Sequence, residues 1–210
     1  MKIEKIELRE LHVRLKFRFE TSFGVEQDLR KVILTLHSDG IEGYGECTAG
    51  EFPGYSYETA DTAWDCITQH IAPLVIGKNF DTSQQLLHAL KFIRGHNMAV
   101  ATLETAFWDA QAKAMNVPLW QLIGGRNTEI PVGASIGVQE SIEKTVESAT
   151  AHKDEGYKRL KFKIKPGWDV KPLRAVREAL PDMNLTVDAN SAYRLVDANI
   201  MQQLDELNLD

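Results

Sequence analysis

Two short segments carry residues whose types and spacing could do chemistry. One is Arg159-Leu160-Lys161-Phe162-Lys163-Ile164 and the other is Val187-Asp188-Ala189-Asn190. In an extended segment successive side chains face opposite sides. Leu160, Phe162 and Ile164 then share one face, and Arg159, Lys161 and Lys163 the other. Two ammonium groups so close should depress each other's pKa, and a lysine tuned in this way can be a general base near neutral pH. Asp188 could bind a divalent cation or orient a lysine, although one aspartate does not make a site for Mg²⁺. The plainer reading of the same residues is an edge strand with its lysines in water, and Asp188, Asn190 and Ser191 as caps or turn residues.

The elements that must position these residues alternate. The patterns predict strands at 130–136, 159–164 and 184–190, and helices at 140–155, 169–180 and from 197 to 207. A βαβαβα order implies a parallel sheet. In such sheets and barrels the site is built at the carboxyl ends of the strands. Those ends are Ser135 on the first strand, Lys161 and Lys163 on the second, and Asp188 and Asn190 on the third. A barrel strand buried on both faces reads as a continuous apolar run. Cations on its inner face are costly unless they meet anions or line a site. Eight βα units make a (β/α)₈ barrel of about 250 residues, and only three fit here. Three parallel strands would leave two open edges, so a fragment of a barrel is the expectation.

Residues 1–125 read differently. Val13, Leu15, Phe17 and Phe19 alternate with Arg14, Lys16 and Arg18, which predicts a half-buried strand within 2–19. Residues 31–37 predict a second strand, Asp39-Gly40 a two-residue hairpin turn, and Ile41–Glu46 the returning strand. Helical spacing follows over 57–76, behind Thr82, and over 97–115, with Gly124-Gly125 as a stop. Thr82 and Gln85 resemble a capping box. Sheet first and helices second makes this half α+β.

Composition narrows the function further. The 210 residues carry 24 Lys+Arg against 30 Asp+Glu, a net charge of −6. That disfavours nucleic acid and anionic membrane surfaces as partners of the whole chain. No apolar run approaches the roughly 20 residues that span a bilayer, and the charged N-terminus is no signal peptide. Cys47 and Cys66 lie outside any CxxC or zinc spacing and fit a reducing compartment. A soluble cytoplasmic protein is expected. GxGxxG, GxxxxGK[ST] and HExxH are absent. Gly133–Gly137 matches the letters of GxSxG, but no helix follows Ser135 tightly, so it is no nucleophile elbow. Residues 153–177 form a local basic stripe that suits an anionic substrate.

The stretch from Arg159 to Tyr193 resembles the o-succinylbenzoate synthase / N-succinylamino acid racemase family, in the muconate lactonizing subgroup of the enolase superfamily. Lys161-x-Lys163, Pro166-Gly167-Trp168-Asp169 and Val187-Asp188-Ala189-Asn190 carry the match. Upstream, Ser22-Phe23-Gly24, residues 45–59 and Gly133–Gly137 agree. The resemblance implies an α+β capping domain (1–125) followed by the first βα units of a (β/α)₇β TIM-like barrel (126–210), with the barrel incomplete in this chain. It implies Mg²⁺-dependent abstraction of a proton α to a carboxylate, with the enediolate stabilised by the metal. Lys163 would be the acid/base residue and Lys161 its partner at the substrate carboxylate. Asp188 would be a Mg²⁺ ligand and Asn190 a supporting polar residue. Phe19, Phe23 and Gly24 would lie in the mobile loop of the cap, Tyr55 in a second specificity loop, and Ser135 near the succinyl group.

The implied activity is o-succinylbenzoate synthesis by syn-dehydration, in menaquinone biosynthesis. The alternatives are N-succinylamino acid racemization by the same machinery, or a catalytically incomplete fragment. A dipeptide epimerase or muconate cycloisomerase relative is disfavoured by the Ser135 segment and the Pro166–Asp169 stretch. The family needs two further carboxylate ligands and a second lysine from later strands, so these 210 residues alone are expected to be inactive. The implied partners are a small succinylated carboxylate substrate and, in the complete enzyme, further copies of the chain in a homo-oligomer.

Overall fold

Three strands open the chain: β1 (Lys5–Glu20), β2 (Val25–Ser38) and β3 (Ile41–Cys47), hydrogen-bonded in that order. The computed structural model describes all 210 residues. β2 and β3 are antiparallel, with Ser38 opposite Ile41. Asp39 and Gly40 between them both have positive φ, as the tight hairpin turn requires. β2 starts six residues before the predicted strand at 31. Its first residues, Val25–Arg30, are mostly polar, with Gln27, Leu29 and Arg30 half-buried and the others exposed, and show no apolar alternation that could have marked them. Val32, Leu34 and Leu36 do alternate, and they are buried.

The chain forms two compact units. One holds Met1–Arg14 and Asp28–Asn127, the other Leu15–Gln27 and Thr128–Asp210. In the first, the helix predicted over 57–76 begins at Ala60. Thr59 and Thr62 there exchange side-chain and backbone hydrogen bonds in a capping box. The turns widen to π-helix over Cys66–Ile71 and close as Ala72–Val75. At the next helix, Ser83–Ala89, Thr82 accepts from the Gln85 amide, but Gln85 returns its side-chain oxygen to Asp81 rather than to Thr82. The long helix Asn97–Ala114 lies on β3. A Cβ at Gly43 would fall on the Ala106 carbonyl oxygen, and one at Gly45 on that of Thr102, so glycine permits this approach. Leu34, Leu36, Ile67, Leu103 and Phe107 fill the core between these elements. Cys47 and Cys66 are buried free thiols.

In the second unit β4 (Gly133–Ile136), β5 (Arg159–Lys163) and β6 (Asn184–Asp188) are parallel, in the order β4-β5-β6. The lysine-bearing strand is therefore the middle one, which removes the edge-strand reading. β4 is shorter than predicted because Ile130-Pro131-Val132 stays outside the ladder, where proline has no N–H to give. Helices Ile142–Asp154 and Val170–Ala179 are capped by Ser141 and Asp169. A last helix spans Ala198–Asp205. Leu160, Phe162, Ile164, Leu173, Val176 and Leu185 are the core of this unit. Beneath it the Arg177 guanidinium donates to the carbonyls of Pro181, Met183, Leu207 and Asn208. No helix of the chain is long and apolar enough to cross a membrane.

Candidate functional site at the carboxyl ends of the parallel strands

The parity of β5 divides it cleanly. Leu160 and Phe162 are buried in the core, while Lys161 and Lys163 face the other way. Register extends that face across the sheet. Ser135, Lys161 and Thr186 form one row, and Lys163 and Asp188 the next. Both ammonium groups reach the same atom, Asp188 Oδ2, each at 2.8 Å. Lys163 Nζ also donates to Asn190 Oδ1 at 2.9 Å. Lys163 is deeply set, its side chain 11% exposed, against 45% for Lys161. Lys161 and then Lys163 hold the Asp188 carboxyl well below the usual carboxylate range, against the opposing effect of burial. Two cations on one anion leave net positive charge at the strand ends, which favours an anionic ligand.

The loops after the strands are built locally. Asp188 Oδ1 accepts the Asn190 amide at 2.9 Å, and Asn190 takes a left-handed φ of 47°. Asparagine tolerates that conformation better than most residues. After β5, Lys165 and Trp168 close a turn with each other, with Gly167 at φ 82°. Asp169 then caps its helix through Val170 and accepts from the Tyr193 hydroxyl at 2.8 Å. Burial and this carboxylate push the Tyr193 hydroxyl up from its usual value. The Pro166–Asp169 motif is thus a turn followed by a cap.

The tip of the β1–β2 hairpin belongs to this unit. The Val138 amide donates to the Glu20 carbonyl oxygen at 2.9 Å, and Phe19 lies against Gly137. Lys165 Nζ bonds Glu20 Oε1 at 2.7 Å, and the Ser22 hydroxyl donates to the Ala189 carbonyl at 2.7 Å. Thr21 and Gly24 close the tip through a 2.9 Å backbone bond. Lys165 foremost holds the Glu20 carboxyl below its ordinary value.

Lys161, Lys163, Asp188 and Asn190 are thus brought into direct contact. Ser135 stands in register beside Lys161 and is exposed. Phe19, Phe23 and Gly24 lie on the hairpin tip of the same unit. Tyr55 belongs to the first unit, in the segment between β3 and the helix at Ala60, and is largely exposed. Sequence reasoning missed Lys165, Glu20 and Ser22. Lys165 continues the parity of Lys161 and Lys163 by two residues, a signal that was there to read. Glu20 and Ser22 meet their partners 145 and 167 residues away, which no local pattern announces.

The fit to Mg²⁺ is partial. Asp188 and Asn190 offer hard oxygen donors of the right kind. No group of three His, Cys, Asp or Glu side chains that could hold a metal ion is present, and Asp188 is engaged by two ammonium groups. These residues supply one carboxylate position and not a complete cage.

Residues 5–124 match the family model for the mandelate racemase / muconate lactonizing enzyme N-terminal domain, and residues 144–210 that for the enolase C-terminal domain-like fold. The chain belongs to the mandelate racemase / muconate lactonizing enzyme family. It is 47% identical over 210 residues to the N-succinylamino acid racemase of Thermus thermophilus, covering 100% of this chain and 57% of that protein. It is 43% identical over 208 residues to the o-succinylbenzoate synthase of Geobacillus kaustophilus, covering 99% and 56%. A crystal structure of an enolase superfamily member from Listeria innocua superposes with a TM-score of 0.93 at 34% identity, covering 100% of this chain and 57% of that one. The chain thus spans little more than half the length of these family members, and its fold is their α+β unit followed by the opening βα units of their barrel.

Proposed function

We propose that the chain supplies one catalytic face of a Mg²⁺-dependent o-succinylbenzoate synthase, with Lys163 as the acid/base residue. The observation that carries this reading is the placement of Lys163 Nζ, set deep at the end of the central parallel strand between Asp188 and Asn190. To take a proton from carbon, Lys163 must present a neutral amine, and its two acceptors fix where that nitrogen sits. Lys161, more exposed, can turn its ammonium from Asp188 to the substrate carboxylate. Negative charge then develops on that carboxylate beside preorganised positive charge, the arrangement that lowers such barriers most. A divalent cation on Asp188, completed by donors outside these residues, would add charge stabilisation at the same oxygens. In this reading Ser135 lies toward the succinyl group. Phe19, Phe23 and Gly24 form the mobile loop in this reading, Tyr55 belongs to a second specificity loop, and the capping domain gives way to the barrel at 125/126.

The 47% identity to a racemase supports a second reading, N-succinylamino acid racemization by the same lysine. One experiment serves both. The protein that carries this chain is incubated with an N-succinylamino acid and Mg²⁺ in D₂O, and the α-proton signal is followed by NMR. Exchange is expected, and Lys163→Ala is expected to slow it about 10³-fold, the usual range for a lost general base. Undiminished exchange in that variant would overturn the assignment of the base. Comparing the rate of o-succinylbenzoate formation with that of racemization then ranks the two readings.

A further inference from the structure

The hairpin tip is fastened to the end of every parallel strand of its unit. Beyond β4, the Val138 amide holds the Glu20 carbonyl oxygen. Beyond β5, Lys165 holds the Glu20 carboxylate. Beyond β6, the Ala189 carbonyl accepts from Ser22. Only the middle fastening is an ion pair between two side chains. Lys165 shares the parity of Lys161 and Lys163, yet its ammonium goes to Glu20 and not to Asp188. Glu20 is well shielded at 17% exposure and is also met by Arg18 at 2.9 Å, whereas Lys165 is 37% exposed. Phe19 immediately precedes this carboxylate and rests on Gly137.

We propose that Lys165 is a positioning residue that seats the Phe19–Gly24 tip on the strand ends by its ion pair with Glu20. Lys161 and Lys163 gather charge onto Asp188, and Lys165 uses the same strand direction to hold the wall beside them. A half-shielded pair of this kind contributes modestly, so its loss is expected to loosen the tip without unfolding the sheet beneath it. That the seated tip retains a ligand rests on the function proposed above. That Lys165 seats the tip does not.

Hydrogen exchange on the chain separates the two. The Val138 amide reports the seating directly, the amides of 19–24 report the tip, and the Phe162 amide in β5 is the control. Lys165→Met is expected to speed exchange at Val138 and the tip about five-fold while Phe162 is unchanged, and Lys165→Arg to stay within about two-fold of the original. Unaltered exchange at Val138 and the tip in Lys165→Met would overturn the proposal. So would an equal rise throughout the second unit, which would mark a merely structural lysine. In the protein that turns over substrate, Lys165→Met is expected to raise KM about five-fold with kcat within about two-fold. A fall in kcat at unchanged KM would overturn the ligand-retaining role, whatever the exchange result. Absence of all turnover in the unaltered protein would instead count against the function proposed above and leave the exchange result standing.

Discussion

Two carboxylates, one in each unit, are treated in opposite ways. Glu58 is 2% exposed and accepts the amides of Met98 and Ala99 at 2.8 and 3.1 Å. These amides open the long helix Asn97–Ala114, where His96 offers no side-chain cap, so Glu58 supplies both the missing acceptor and the favourable negative charge. Its partners are main chain and cannot leave while the helix stands. Asp188 is 24% exposed, and the groups on its outer oxygen are two lysine side chains that can swing away. A carboxylate held by backbone is part of the frame. One held by movable side chains at a strand end is available for exchange of partners, which a reaction needs.

The sharpest break in that contrast would come from chemistry. Lys163→Ala is expected to cost about 10³-fold in α-proton exchange while the melting temperature moves by only a few degrees. Large unfolding in circular dichroism would place Lys163 with the frame. Next in size, Glu58→Ala is expected to destabilise the chain by about 2–3 kcal/mol, since it strands two helix-opening amides in a buried place. Urea titration measures it, and a loss below about 1 kcal/mol would erase the contrast. Asp188→Asn should cost no more than about 1 kcal/mol by the same titration.

Acid sharpens the same point. Unfolded Asp188 takes up a proton near the ordinary aspartate value of about 3.9, and the folded chain resists until lower pH. The unfolded state then binds more protons, so stability falls as pH drops below about 4. Asp188→Asn should flatten that acid limb of the melting temperature, and an unchanged limb would deny the ion pairs their part in the fold.

Much of this was legible. The alternation of Val32, Leu34 and Leu36, the Asp39-Gly40 turn and the parity of Leu160, Lys161, Phe162 and Lys163 each follow from side-chain periods that the fold obeys. Asp188 and the two lysines could be placed on neighbouring strand ends, but not onto one oxygen, because register comes from pairing and not from either strand alone. Residues 25–30 hid as a strand because they are mostly polar, and the partners of Gln27 and Arg30 are polar groups rather than an apolar core. Cys66–Ile71 keeps helical spacing while its hydrogen bonds widen, a change that apolar periodicity does not record. Gly43 and Gly45 fall inside the predicted returning strand Ile41–Glu46, and the reason for glycine there lies in a helix about sixty residues away.

The fastened hairpin tip also sets an order in time. Glu20 and Lys165 are separated by 145 residues and Ser22 and Ala189 by 167, whereas β2 and β3 meet across a two-residue turn. Hairpins close in about 1–10 μs, but joining ends so distant must first overcome the entropy of the intervening loop. Contacts of such span are the slow ones in folding. The tip is therefore expected to dock late in folding, once the ends of β4, β5 and β6 that receive it are in place.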